Sequence, residues 1–385
     1  MSVKLHERVL VDCAPRRVRE WGYWQFPCLT RMNDRWLFTF QEAADSYSTY
    51  GSKRVYYAAD PEITDWEHFK DEDAINEARS ILLPNGDRVI KRSENSALIT
   101  DIALPECVGE FEINKRHYYC YKNDELDPEV GGLALLRKRK GETEWVKESA
   151  LMHESGGIRC GFDGCLPAMQ ARGNQFCMGP DGKVYLLVYN FKLNSDGTPD
   201  IYDRVYLMAS SDNCQSFEEI GEIPYTPDLA NDKDAYDPGR RGFLEPAMEF
   251  LKNGDILCVM RTTHFGIGPL YQCRSRDGGK TWSRPQIISD HGVYPHLVEL
   301  ECGAIVLTYG RPGVDMMVSY DNGESWTDHS VLIKSVGGIL DDSCGYTTLL
   351  PYDSNKCVVG YSDFNYDPGD GYPRKALFSR IIEIV

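Results

Sequence analysis

Short apolar runs separated by polar turns recur along the whole chain, and their spacing fits strands better than helices. One unit repeats: an apolar residue or Gly, often Pro, a short apolar strand, a turn, and a second apolar strand. Copies begin at Phe26, Leu166, Glu245, Tyr294 and Gly345. Their anchors are Pro27, Pro167, Pro246 and Pro295, with Tyr346 at the matching place in the last copy. The successive spacings are 140, 79, 49 and 51 residues. The first gap has room for two units, so one degenerate copy is expected near residues 95–145. The acidic stretch Glu67 to Arg79 has helix-like spacing and reads as an insertion between the first and second units.

A second pattern follows the copies, Ser-x-Asp-x-Gly-x-Thr/Ser-Trp/Phe. Ser275 to Trp282 and Ser319 to Trp326 are full matches, and Ser210 to Phe217 has Cys214 in place of Gly. Asp60 to Trp66 and Leu136 to Trp145 look like eroded copies. The physical logic is a hairpin turn. Asp accepts backbone N–H groups, Gly takes the positive-φ position, and the aromatic packs beneath. These Asp side chains are used up in the turn, which leaves them a structural role. Four short strands per unit predict an all-β fold, a six-bladed β-propeller forming one domain over residues 1–385. The six copies are expected near residues 26, 95, 166, 245, 294 and 345. The strand from Lys375 onward, with Val9-Leu10-Val11, is expected to close the ring.

Charge narrows the function. The chain has 42 Lys+Arg against 59 Asp+Glu, a net −17 at pH 7. Phosphate backbones need clustered cations, so nucleic acid is not an expected partner, and an anionic membrane surface is disfavoured too. The 13 Cys are an odd number with no Cys-x-x-Cys pair, which excludes complete intramolecular pairing and shows no metal-ligand spacing. Most lie in apolar strand-like runs, which suits reduced thiols in a cytoplasmic protein. The first residues mix charges without an apolar core, so export is not indicated. No metal or cofactor is expected, and the oligomeric state is left open.

The turn motifs are the Asp-boxes (BNR repeats) of the sialidase, or neuraminidase, superfamily, and the resemblance covers nearly the whole chain. That family includes non-catalytic members, so function rests on the residues at the starts of the inner strands. Tyr346, in Gly-Tyr-Thr-Thr-Leu, resembles the family's nucleophilic Tyr. Glu245, in Leu-Glu-Pro-Ala-Met, resembles the Glu that pairs with it. Arg261 lies 16 residues later, about where the family places a pocket arginine, and the resemblance suggests Arg311, one unit on in Tyr-Gly-Arg-Pro, as a second. The resemblance implies an acid in a loop of the first unit; Asp45 is the nearest fit and Glu42 its competitor. The chemistry is coherent. A Tyr is a poor nucleophile until a carboxylate takes its proton, and a neutral nucleophile avoids repelling an anionic sugar.

One position departs from the family. Its first inner strand carries an Arg that grips the substrate carboxylate, and here Gln25 stands in Trp24-Gln25-Phe26-Pro27. Gln donates neutral hydrogen bonds but no charged fork, which favours another sugar. His296 and Asp163 are further candidates for the same opening, and Arg240-Arg241 stands just before Glu245. The leading expectation is an exo-acting glycoside hydrolase with a Tyr nucleophile, acting on a carbohydrate. A lyase on a uronate-containing glycan, with His296 or His264 as base, is the second. A non-catalytic propeller binding a glycan or a protein is the third.

Overall fold

The structure is a computed structural model in which residues 1–45, 54–92, 97–113, 115–167, 176–237, 239–263 and 266–385 are described. Strands dominate it, and most meander outward in antiparallel sheets. Gln25–Met32, Arg35–Gln41, Arg54–Ala59 and Trp66–His68 form one four-stranded sheet. Arg240–Phe250, Ile256–Thr263, Leu270–Ser275 and Gln286–Ser289 form a second. A third contains Val293–Glu299, Ile305–Gly310, Val314–Ser319 and Thr327–Ile333. In the fourth, Thr347–Asp353, Lys356–Tyr366 and Arg374–Ile384 are completed by Val3–Cys13, the closure expected from sequence.

An eight-stranded sheet fills the remaining place. It is two meanders, one from Ile81–Leu82 to Val146–His153 and one from Cys177–Met178 to Ser216–Ile223. They join at their last strands, where Leu151 to His153 runs parallel to Ser216 to Glu218. Neighbouring sheets pack face to face and share cores. Val306 and Met316 meet Val359 and Phe378, while Leu257 and Val259 meet Leu307 and Met317. A strand covered on both faces has no reason to alternate, which is why Ile305–Gly310 and Val314–Ser319 are buried at every position.

The degenerate copy is not where equal spacing placed it. The second unit opens at Ile81, and residues 97–132 are largely an addition between its second and third strands. There Cys107–Ile113 and Arg116–Lys122 pair with Ile158–Gly161 in a separate three-stranded sheet. Extra chain inserted at a hairpin lengthens the repeat without disturbing its strands, so dividing the gap evenly misplaced the start. Glu72–Arg79 is a helix, as its spacing predicted; Asp71 caps it by accepting from the N–H groups of Asp73 and Ala74, and it buries Ile75.

The repeated turns have one bonding scheme. Asp277 Oδ1 accepts from Ser275 Oγ at 2.9 Å and from the Thr281 N–H at 2.9 Å, while Oδ2 takes the Thr281 hydroxyl at 2.7 Å. Asp321 repeats this with Ser319 and Ser325, and Asp212 with Ser210 and Ser216. Asp60 keeps the half made with Thr64. Hydrogen bonds to the charged form, those from Thr281 first, lower the Asp277 pKa to about 2. A carboxyl held low in the folded state contributes stability above its unfolded pKa and loses it as pH falls through the folded one. Asp277→Ala is therefore expected to lower the melting temperature at neutral pH. The deficit should close as pH is taken down toward about 2 in a thermal melt series.

Candidate active site

The repeat places three bulges at one end of the sheets. Phe26, Glu245 and Tyr294 each precede a Pro, and each has a positive φ, of 57°, 43° and 44°. Ladder pairing slips at each: between Gln25 and Cys28, Leu244 and Ala247, and Val293 and His296. Non-glycine residues rarely adopt this backbone, and a bulge re-aims a side chain that regular pleating would bury. At the matching place in the last unit Gly345 takes φ 76° just before Tyr346. All four side chains, Phe26, Glu245, Tyr294 and Tyr346, remain partly exposed between buried neighbours.

They converge on Tyr346. Its ring stacks on Tyr294, with centroids 4.3 Å apart and planes 7° from parallel. Phe26 meets it edge-on at 5.0 Å. The Tyr346 hydroxyl donates a short hydrogen bond to Glu245 Oε1. Arg261 Nη1 donates to the other oxygen, Glu245 Oε2, at 2.6 Å, and stands 3.4 Å from the Tyr346 hydroxyl. Arg261 is itself held by its Nε, which donates to the Thr263 carbonyl at 2.6 Å. Arg311 lies beside the pair, its guanidinium carbon 5.5 Å from the ring centroids of both Tyr346 and Trp21. Its Nη2 donates to the Cys344 carbonyl at 3.1 Å, and its buried Nε has no partner among the described residues. Arg311 is placed by glycine. A Cβ on Gly345 would come within 2.6 Å of the Arg311 backbone nitrogen.

Charge follows from this geometry. Burial opposes the Glu245 carboxylate, but the Arg261 guanidinium, the Tyr346 hydroxyl and Arg311 outweigh it and hold the carboxyl below its usual range. Burial and the Glu245 charge push the Tyr346 hydroxyl well up, against Arg261 and Arg311, so the phenol is neutral in the resting site. Asp45 hangs on Trp21, whose Nε1 donates to Asp45 Oδ2 at 2.9 Å. Burial first, then the Glu245 charge, raises the Asp45 pKa, against the Trp21 hydrogen bond and Arg311. Its loop is pinned where Gln41 Nε2 donates to the carbonyls of Ala43 and Ala44, at 3.1 and 3.2 Å. A Cβ on Gly22 would collide with Ala43 and with the Asp45 nitrogen.

The other sequence candidates are placed differently. Gln25 is fully buried; its Oε1 accepts from the Gly22 N–H at 3.1 Å, so it braces the Asp45 loop from beneath and does not line the opening. His296 is only 7% exposed, with its ring 5.7 Å from Tyr294. Asp163 is exposed on the added sheet's side and paired with Arg116 at 3.1 Å, away from the contacts around Tyr346. Arg240 and Arg241 pair with Asp232 and Asp203, each at 2.9 Å. Glu42 adds its charge beside Tyr57. His264 lies outside the described residues. Sequence reasoning missed Trp21, Phe26 and Tyr294 as parts of this site. Two of these stand directly before a repeat proline, which was the signal available.

No protein-family model matches the chain, and no curated protein matches it in sequence. Solved structures do match. A protein of unknown function from Dyadobacter fermentans aligns over 100% of both chains, with 17% identity and a TM-score of 0.64. A Streptococcus pneumoniae sialidase aligns over 97% of this chain and 70% of its own, with 13% identity and a TM-score of 0.54. A Penicillium chrysogenum α-L-arabinanase, solved with arabinobiose, aligns over 98% of both chains, with 13% identity and a TM-score of 0.52. At this identity the likeness is one of fold, shared with a sialidase and an arabinanase of known structure.

Glu245 and Arg261 are a largely buried ion pair, so removing one partner strands the other. Arg261→Met should cost about 3–5 kcal/mol of stability. Tyr346→Phe removes one hydrogen bond and should cost about 1 kcal/mol. Urea titrations of the two variants check the contrast; equal losses would contradict the ion-pair account.

Proposed function

We propose that this chain is an exo-acting glycoside hydrolase that removes one terminal sugar with retention of configuration. The observation that carries the reading is the shared carboxylate: Glu245 accepts from Tyr346 on one oxygen and from Arg261 on the other. In this reading Glu245 draws the proton from Tyr346 as the phenol oxygen attacks the anomeric carbon. Arg261 is close enough to the phenol oxygen to stabilise charge appearing there. Asp45, with its raised pKa, donates a proton to the leaving oxygen and then takes one from the water that releases the sugar. Two of the neighbours in fold are a sialidase and an arabinanase, which supports a carbohydrate substrate. Counting the two halves of the eight-stranded sheet separately gives six blades, and we read residues 1–385 as one domain.

Cations at the site speak to the substrate. Arg261 is committed to Glu245, and Gln25 replaces the first arginine of the sialidase pattern and is buried. Arg311 lies 5.5 Å from the Tyr346 ring with a carbonyl, that of Cys344, as its hydrogen-bond partner, so its charge is not spent on a carboxylate. A single arginine supports recognition of one acceptor-rich edge, a lone carboxylate or adjacent hydroxyls, and gives less support to the multi-arginine grip a sialic acid receives.

Four measurements test this. A screen of chromogenic terminal glycosides, including sialosides, uronides and arabinofuranosides, should find one that is cleaved with its anomeric configuration retained in NMR. Tyr346→Phe should abolish that turnover while leaving the melting profile nearly unchanged; full activity in this variant would exclude Tyr346 as nucleophile. The rate should climb as pH rises through the depressed pKa of Glu245 and decline as pH passes the raised pKa of Asp45. Asp45→Asn should remove the alkaline decline when the leaving group needs no protonation.

A further inference from the structure

The added sheet carries an unexplained pair of sulfurs. Cys120 and Cys160 are directly opposite each other in the antiparallel ladder between Arg116–Lys122 and Ile158–Gly161. Their Sγ atoms are 3.0 Å apart, and both residues are buried, at 0% and 6% exposure. The surroundings are Tyr118, Ile158, Phe162 and Phe191, and each sulfur is the other's only hydrogen-bond partner among the described residues. Residues directly opposite in an antiparallel pair have Cα atoms about 4.5–5.5 Å apart, inside the range of about 4.4–6.8 Å that a disulfide spans. The backbone is therefore already at bridging distance, and closure asks the sulfurs to approach by about 1 Å toward a bond of about 2.05 Å.

We propose that Cys120 and Cys160 are the site of an intramolecular disulfide that fastens the added sheet to the strand entering the third unit. The oxidant is a small-molecule disulfide such as oxidised glutathione. The Cys160 thiolate, the less buried of the two, attacks one sulfur of that disulfide and releases one small thiolate. Cys120, giving up its proton, attacks the Cys160 sulfur and releases the second. One protein disulfide and two small thiols result, so the two cysteines are oxidised and the small disulfide is reduced. Burial and the neighbouring Cys120 raise the Cys160 thiol pKa, which makes exchange slow in the folded state and places closure during folding or local opening. The bond would close a loop of 40 residues that contains the last two strands of the second unit, Leu133–Lys138 and Val146–His153. That sheet packs on Phe191, over whose ring lies Arg241, four residues before Glu245.

The test is refolding of the full chain in glutathione buffers from reducing to oxidising, followed by trapping with N-ethylmaleimide and peptide mass mapping. Of the 13 cysteines, 11 should remain alkylatable at the oxidising end, with one linked peptide joining Cys120 to Cys160. Cys120→Ser and Cys160→Ser should each fold and yield no linked peptide. Cys258 and Cys273 are also opposite each other in register, at 0% and 2% exposure, and serve as an internal comparison. A chain that stays fully alkylatable at the oxidising end, or that links other cysteines in preference to Cys120 and Cys160, overturns the proposal.

Discussion

A carboxylate standing in a site walled by aromatic rings is a costly thing to bury, and Glu245 is tolerated because Arg261 sits 2.6 Å from it. The rest of the site is arranged around that pair. Arg261 is fixed through the carbonyl of Thr263 on its own strand, so the cation cannot drift. The second carboxylate oxygen is left for Tyr346, which arrives from a different sheet. The phenol is thereby oriented by its own hydrogen bond and by the stacked ring of Tyr294. One sheet supplies both members of the ion pair, neighbouring sheets bring Tyr346, Tyr294 and Phe26, and the ion pair marks where they meet.

The pieces reach that point through backbone strain. Phe26, Glu245 and Tyr294 hold left-handed conformations that non-glycine residues adopt at a cost of order 1–3 kcal/mol each. The surrounding strands are buried on both faces and leave little freedom to relax. Rigid sheets thus support a strained rim, and the strain turns side chains into the opening that would otherwise have joined the core. The Asp45 loop is assembled differently, from hydrogen bonds of Gln41, Gln25 and Trp21.

Much of this is legible in the sequence, for identifiable reasons. The turn motif carries its own bonding scheme, so the roles of Asp212, Asp277 and Asp321 follow from residue types and spacing alone. The Glu245, Arg261 and Tyr346 cluster is legible through the resemblance of their local motifs and of the 16-residue spacing to the sialidase pattern, with Glu245 and Tyr346 also falling at repeat anchors. The position of the second unit is not, since an added sheet has no counterpart in the repeat and hides its period. Gln25 reads as a pocket residue because its position in the motif faces the opening in the family it resembles. The bulge at Phe26 leaves it one residue too early, pointing beneath the rim. The aromatic wall escapes a reading of the sequence because Phe, Tyr and Trp are frequent in any strand-rich chain, and only the φ angles separate the ones that turn outward.

The sheet that presents Tyr346 has a consequence for synthesis. Its outer edge is Val3–Cys13, paired to Arg374–Ile384, and the pairing joins residues as far apart as Val3 and Ile384. A ribosome therefore emits one edge of this sheet long before its partner. Until that partner emerges the strand Val3–Cys13 has an unsatisfied hydrogen-bonding edge, the kind of edge that recruits wrong partners. Its order of polar and partly buried positions, with charges at Lys4, Glu7, Arg8 and Asp12, keeps that waiting edge unattractive to other strands. The sheet that carries Tyr346 is thus the last of these sheets to be completed, and the charges on its first strand guard that edge while it waits.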